Sequence, residues 1–355
     1  MHLLRLAAAT ASISLLAIVI PTTALAAPAT PERTTIGVDV YTSKKTDKQI
    51  RDYWTPARMK EALSNPAEAP AKSNHSRRTS VESGTQRQEL TASVPARGFT
   101  RERQAKAAVE PISVSREAPV GPPVVGKLIF THPNGDVGSC SAASIVSDNE
   151  NTIWTAGHCI HEGDGSGDAG WMTDILYVPG YRDGAEPIGV WTVAHQYAAS
   201  AWTQDGDEYE ADMAAIVLNT HTSRGTLESA VGAAFGYRFT ENETDYPDTL
   251  AIGYPNEGYQ RTDLNGERMM HCVGETTDAS FLNPFDDRIK MDCDMGRGAS
   301  GGPYVYGEDP FDPRIVGASS HYEGNLTTGQ RNSDDLFSSE HGAYAAAVIN
   351  TANGA

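Results

Sequence analysis

From residue 124 onward the chain is broken into short apolar runs set between Gly, Pro, Asn and Asp: "VVGKLIFT", "SAASIVS", "TIWTA", "ILYVPGY", "GVWTVAHQY", "MAAIVL", "TLAIGYP", "RIKMDC" and "RIVGASS". Each is strand-length, rich in β-branched or aromatic residues, and bounded by turn formers. No long helical period interrupts them until "GAYAAAVINTA" near the C-terminus. So many short strands over about 230 residues predict an all-β sandwich or a pair of barrels, not alternating βα units.

The residues before this region have a different texture. Residues 1–120 carry a net charge of +6 and residues 121–355 a net charge of −24, so the chain is two electrostatically opposed pieces. Residues 64–120 are mostly Ala, Ser, Pro and charge, with too few large apolar side chains to fold alone. Within this piece only "YWTPARMKEAL", residues 53–63, reads as structured, a short helix capped by Thr55 with Pro56 in its first position, able to dock on something else. The first 26 residues have an Arg-bearing start, an apolar run from Leu6 to Ile20 and the small-residue exit Ala24-Leu25-Ala26. That is the layout of a secretory signal peptide rather than a membrane anchor. The expected organisation is therefore a signal peptide (1–26), a poorly structured pro-segment and linker (27–120) and a folded domain (121–355), exported as a soluble monomer.

Four cysteines, Cys140, Cys159, Cys272 and Cys293, suit an oxidising compartment and allow three pairings. Pairing of sequence neighbours would close two loops of similar length. No two are spaced as a CxxC pair, so a metal site is not expected, and no cofactor motif appears. The strongly acidic domain would repel nucleic acid phosphates and anionic lipids, which excludes both as partners. Protein or peptide substrates, and the basic pro-segment itself, remain the expected partners.

Three stretches carry candidate chemistry. In "NTIWTAGHCIHEG", His158 follows a strand-like run and stands next to Cys159. In "YEADMAAIVL", Asp212 precedes an apolar strand and can turn inward from its start, with Asp205 and Asp207 as competitors. In "CDMGRGASGGPYVY", Ser300 lies among glycines that let the backbone approach a substrate closely, and the amides of Gly298 and Ser300 can point at one oxygen. Each alone has a bland reading: a structural histidine, a strand-edge charge, a turn between strands. Together, in the order His, Asp, Ser, they make a set for nucleophilic acyl transfer.

On these residues the chain resembles the chymotrypsin-like serine endopeptidases. "TAGHC" is similar to that family's histidine motif, "ADMAAIVL" to the segment bearing its aspartate, "GASGGP" to its nucleophile motif and "VGASS", residues 316–320, to the strand that pairs with substrate. The resemblance spans roughly residues 124–350. It implies two six-stranded antiparallel β-barrels with the site in the cleft between them, His158 as base and acid, Asp212 as its orienter, Ser300 as nucleophile and Gly298 with Ser300 as oxyanion donors. It also implies a Cys140–Cys159 disulfide beside the histidine. The position of Cys293, seven residues before Ser300, is similar to that in bacterial glutamyl endopeptidases and in secreted actinobacterial trypsin-like peptidases, and "YWTPARM" is similar to the pro-pieces of the latter.

Two departures from the family pattern bear on activation and specificity. Ala299 stands where animal members carry the aspartate that grips a new N-terminus, so that switch should be missing. Asp294, six residues before Ser300, stands where trypsins carry the acid that binds Arg or Lys, which favours cleavage after basic residues unless Arg297 neutralises it. On the substrate strand, Ser319 occupies the place of the histidine of glutamyl enzymes, Ser320 follows it, and His321 lies two residues on from Ser319 on the same pleat face. Under that second reading His321 contacts a substrate Glu. Two rival functions are a protease-like binding module without activity and a secreted esterase. The first should have lost a triad residue and has not; the second needs Ser before the acid and His, the reverse of the order here.

Overall fold

The computed structural model describes residues 36–67, 90–100, 111–119, 121–240, 243–279, 286–307, 309–324 and 331–354. The apolar leader read as a signal peptide lies outside them. The N-terminal piece supplies β1 (Val38–Thr42), α1 (Asp47–Tyr53), α2 (Pro56–Ser64), β2 (Ala92–Val94) and β3 (Ile112–Glu117). There follow β4 (Val125–Thr131), β5 (Val137–Ser144), β6 (Thr152–Thr155), β7 (Thr173–Pro179), β8 (Trp191–Ala199), α3 (Ser200–Asp205), β9 (Ala214–Leu218) and α4 (Leu227–Val231). The second half comprises β10 (Gly236–Phe239), β11 (Thr249–Gly253), β12 (Met270–Gly274), β13 (Thr277–Asp278), β14 (Ile289–Asp292), β15 (Pro303–Tyr306), β16 (Arg314–Ala318), β17 (Asp335–Ser338) and the C-terminal α5 (Ala343–Asn353).

Strands β4 to β9 close into an antiparallel barrel, in the order β8-β7-β4-β5-β6-β9 with β9 paired back to β8. Closure explains their composition. β4 and β5 are buried along their whole length and are flanked on both edges, so apolar and small residues fill positions that would alternate in a one-sided sheet. The second half is arranged differently from a single closed ladder. β10-β16-β15-β11-β12 form one sheet and β13-β14-β17 another. The Cys272–Cys293 disulfide ties the β12 side of the first to the end of β14. Both sequence-local disulfides are present, Cys140–Cys159 being the other. The Ala-rich α5 buries Ala345, Ala346, Val348 and Ile349 in the main core and packs on β8 and β9.

The N-terminal piece is more ordered than its composition suggests. α2 begins as its sequence predicts, with the Thr55 side chain accepting from Arg58 N–H and Pro56 in the first turn. Beyond that helix, β1 pairs in antiparallel register with β8, β2 with β10 and β3 with β12. An added edge strand satisfies its backbone on an existing ladder and needs no core of its own, which is why a core-based reading of the sequence misses it. Side-chain anchors then hold the piece down. Ile50 is fully buried, Trp54 is buried with its Nε1–H donated to Asp174 O at 2.5 Å, and Lys45 pairs with the buried Asp174 carboxylate at 2.6 Å.

Candidate active site

β6 delivers the histidine. The strand ends at Thr155, a single 3-10 turn over Gly157–Cys159 follows, and the Cys140–Cys159 bridge ties that turn to β5. Gly157 is packed so tightly on Trp202 that a Cβ there would lie 2.9 Å from the indole, which holds the turn in place. Just before β9, Asp212 is wholly buried. Its Oδ2 lies 2.9 Å from His158 Nδ1, its Oδ1 accepts the His158 backbone N–H at 2.8 Å, and its own N–H donates to Ser339 Oγ at 3.1 Å. Burial by itself would raise the Asp212 pKa. The charge and hydrogen bond of His158, with the Ser320 hydroxyl and the His158 N–H, outweigh it and hold the carboxyl below its usual range. The remaining ring atom, His158 Nε2, is buried and has no hydrogen-bond partner.

Ser300 stands on the turn between β14 and β15. Its carbonyl accepts the Ser141 N–H of β5 at 2.7 Å, and Gly301 follows at φ +75°, where a Cβ would collide with Ser141 O and Thr155 Oγ1 and lie 2.9 Å from Ala156 N. Only glycine lets the serine turn seat this closely against the strand exit that carries His158. Gly298 has φ +92°, its carbonyl held by Ser141 Oγ at 2.8 Å. Thus β5 and β6, from the first barrel, clamp a turn of the second half at the histidine.

Behind Asp212 runs a second set that the sequence does not announce. Ser320 Oγ donates to Asp212 Oδ2 and lies 2.8 Å from His321 Nδ1, while His321 Nε2 lies 2.6 Å from Arg288 Nη1. Arginine only donates, so Nε2 accepts, Nδ1–H donates to Ser320, and the Ser320 proton is directed to Asp212. Arg288 is itself buried, paired with Asp286 at 2.7 Å and Glu323 at 3.1 Å and stacked on Phe337 and Tyr209. A cavity beside Ser300 is lined by Gly296, Arg297, Ser319, His321 and Tyr322 among others, and the buried Ser319 Oγ has no partner.

Of the expected specificity residues, Ser319, Ser320 and His321 line this cavity and Asp294 does not. Asp294 is buried, with Oδ1 accepting the Ser115 N–H of β3 and Oδ2 accepting from Arg261 Nη1, both at 2.8 Å; it is not among the residues lining the cavity. Its partner is Arg261 and not Arg297, whose guanidinium is bidentate to Glu257 at 2.9 Å. An acid already supplied with an arginine has no unmet charge to offer a substrate Arg or Lys. Arg261 is 33 residues from Asp294, so no local spacing points to it. Ser320 lines the cavity with Ser319 and His321, and its hydroxyl donates to Asp212.

Comparison with solved structures places this arrangement. Protease Anisep from Arthrobacter nicotinovorans is 29% identical, with a TM-score of 0.57 over 68% of this chain and all of that one. The fold is that of the chymotrypsin-like serine proteases. A thermostable serine protease, AL20, from an extremophilic microorganism matches this chymotrypsin-like chain with 27% identity and a TM-score of 0.55 over 66% of the chain and 98% of its own. A Glu endopeptidase shares the fold at 17% identity and a TM-score of 0.50, covering 68% of the chain and 97% of its own. No protein-family model matches the chain. In sequence, an extracellular metalloprotease of Bacillus subtilis (strain 168) is 34% identical over 108 residues, 30% of this chain and 31% of that protein, so the match spans about a third of the relative's length. Metal chemistry, as that relative's name suggests, does not fit the donors here. Among the described residues, the clusters of three possible ligands are Cys140, His158 and Cys159, and Cys272, Cys293 and Asp294. In both, the cysteines are locked as disulfides and offer no thiolate.

Proposed function

We propose that the chain is a secreted serine endopeptidase, made as a pro-enzyme, that cleaves peptide bonds through His158, Asp212 and Ser300. The observation that carries this reading is the His158–Asp212 pair, which leaves Nε2 buried and unpartnered where the Ser300 turn is clamped against the histidine's strand. With Asp212 on Nδ1, the acceptor is Nε2. Ser300 Oγ attacks the substrate carbonyl carbon as its proton passes to that nitrogen, and the N–H groups of Gly298 and Ser300 receive the developing oxyanion. The imidazolium returns the proton to the departing amine as the C–N bond breaks. Water, activated by the same nitrogen, then hydrolyses the acyl-enzyme. The disulfides and the extracellular relative support export.

In this reading residues 27–120 are the pro-segment, and their described parts support a masking role. Ala67 N–H donates to Ser139 O at 2.9 Å and Ser139 N–H donates to Asn65 O at 3.0 Å, so the segment pairs with β5 two residues before Ser141, the residue that holds the Ser300 carbonyl. A substrate strand cannot use the same Ser139 groups while they are taken. Incubation of the protein with a fluorophosphonate probe and a peptide library tests the function. Labelling and cleavage by the wild type, both absent in Ser300→Ala, are the expected result. A wild type that is neither labelled nor active even after its N-terminal segment has been removed would make the chain a protease-like binding module.

A further inference from the structure

Lys127 is a fully buried lysine whose hydrogen-bond acceptor is Asn256 Oδ1, and burial pulls its pKa down to about 7 although the Glu267 charge opposes this. Such a charge is costly to bury and calls for a reason. Its place in the ladder supplies one. On β4 it stands opposite Ser141 of β5, and of the two side chains Ser141 bonds the turn that carries Gly298 while Lys127 reaches Asn256 beside it. Ser141 Oγ donates to Gly298 O and accepts the Tyr254 N–H at 2.9 Å. Lys127 Nζ lies 3.4 Å from Asn256 Oδ1.

Asn256 borders the same turn on its other side. Its backbone N–H donates to Arg297 O at 2.8 Å. Because a trans peptide sets C=O and N–H on opposite sides, this bond turns the Gly298 N–H away from Asn256. The reverse orientation has acceptors waiting. A Cβ on Gly298 would lie 2.6 Å from Tyr254 O and would meet Asn256 Oδ1. A glycine at φ +92° offers little resistance to rotation of the peptide before it. The side-chain oxygen of Asn256, beside the backbone oxygen of Tyr254, is therefore an acceptor bordering the residue whose N–H must stay free.

We propose that Lys127 and Asn256 are positioning residues for the oxyanion turn: a Lys127 Nζ–H occupies the Asn256 amide oxygen, so the Gly298 N–H is not captured and stays available to the oxyanion. The inference rests on the serine peptidase reading for the role of Gly298, and on this chain's own contacts for the rest. It also gives the docked segment a line to the site. Asn256 Nδ2 donates to Leu63 O at the end of α2, at 2.8 Å.

The test uses the chain expressed with its own leader and assayed after release of its N-terminal segment, as wild type and as the variants Lys127→Met, Asn256→Asp and Lys127→Met with Asn256→Ala. Lys127→Met frees the amide oxygen, and kcat on peptide substrates should fall about 10–100-fold with KM within about twofold, the range for partial loss of one oxyanion donor. Adding Asn256→Ala removes the capturing oxygen and should restore most of that loss, which a merely structural role for the pair would not do. Asn256→Asp keeps an oxygen within reach of Lys127, so its loss of kcat should stay below about tenfold. An unchanged kcat in Lys127→Met, a double variant no faster than the single, or an Asn256→Asp variant more than about tenfold slower overturns the proposal. A crystal structure of Lys127→Met tests the turn directly, independent of activity. The Arg297–Gly298 peptide should be reversed, with its N–H on Asn256 Oδ1, and an unreversed peptide refutes the inference. A wild type without Ser300-dependent hydrolysis would instead refute the peptidase reading.

Discussion

His341 makes the acid sensitivity of this fold calculable. It is fully buried, its Nε2 accepts the Trp154 Nε1–H at 3.0 Å and its Nδ1 lies 2.9 Å from Ser339 O, so the neutral ring fits both partners. Burial pushes its pKa down to about 4 from an ordinary 6.5, with the Ser339 carbonyl and the Asp212 charge only partly opposing. Because the folded pKa lies below the unfolded one, protonation favours the unfolded chain. The contribution is complete above pH 6.5 and is lost progressively as pH falls toward 4. At about 1.4 kcal/mol per unit, the loss is on the order of 3 kcal/mol, a large part of a typical domain's stability. Protonation would also place a second N–H against the Trp154 N–H, on the strand that leads to His158. The assay is denaturant unfolding of wild type and His341→Asn at pH 8, 6.5, 5 and 4. Carboxylates other than Asp212, whose charge acts on His341, titrate alike in both proteins, so the difference between them reports His341 together with that coupling. Wild type should lose about 3 kcal/mol more than the variant between pH 6.5 and 4. Parallel curves would refute the reasoning.

Other outcomes follow from the same contacts. Ser300→Ala should lower peptide turnover on the order of a million-fold while leaving the circular dichroism spectrum unchanged, since it removes a nucleophile and no core contact. Trp54→Ala should weaken inhibition by the isolated N-terminal segment added in trans by at least about a hundredfold in Ki, because a buried indole and its bond to Asp174 O are lost. The same inhibition should depend only weakly on salt. Half-exposed pairs such as Lys45–Asp174 and Arg97–Glu228 are worth at most about 1 kcal/mol each, against a five-residue β1–β8 ladder and buried Ile50 and Trp54; steep salt dependence would restore the charge-driven picture of the +6 and −24 pieces. Asp294→Ser should lower the melting temperature without changing the relative rates on Arg-ending and Glu-ending substrates, since Asp294 serves Arg261 and Ser115; a selective loss of Arg cleavage would return it to the specificity pocket.

The amino-acid sequence by itself was enough for the all-β class and for His158, Asp212, Ser300 and Gly298 as candidates. Strand period, turn residues and a glycine-flanked serine are local properties, and each leaves a mark within a few residues. It also placed the α2 cap at Thr55, because capping is decided within one turn. What only the tertiary structure decided depends on residues far apart in the chain. Ser320 turns to Asp212, Arg288 supports His321, Arg261 takes Asp294, and Lys127 meets Asn256 beside the Gly298 turn. The ordering of Val38–Thr42 and Ile112–Glu117 belongs with these, since their backbone partners come from strands β8 and β12. A lone charged residue carries no trace of the partner that will neutralise it, and an edge strand borrows its stability from a ladder that exists only once the barrel has closed.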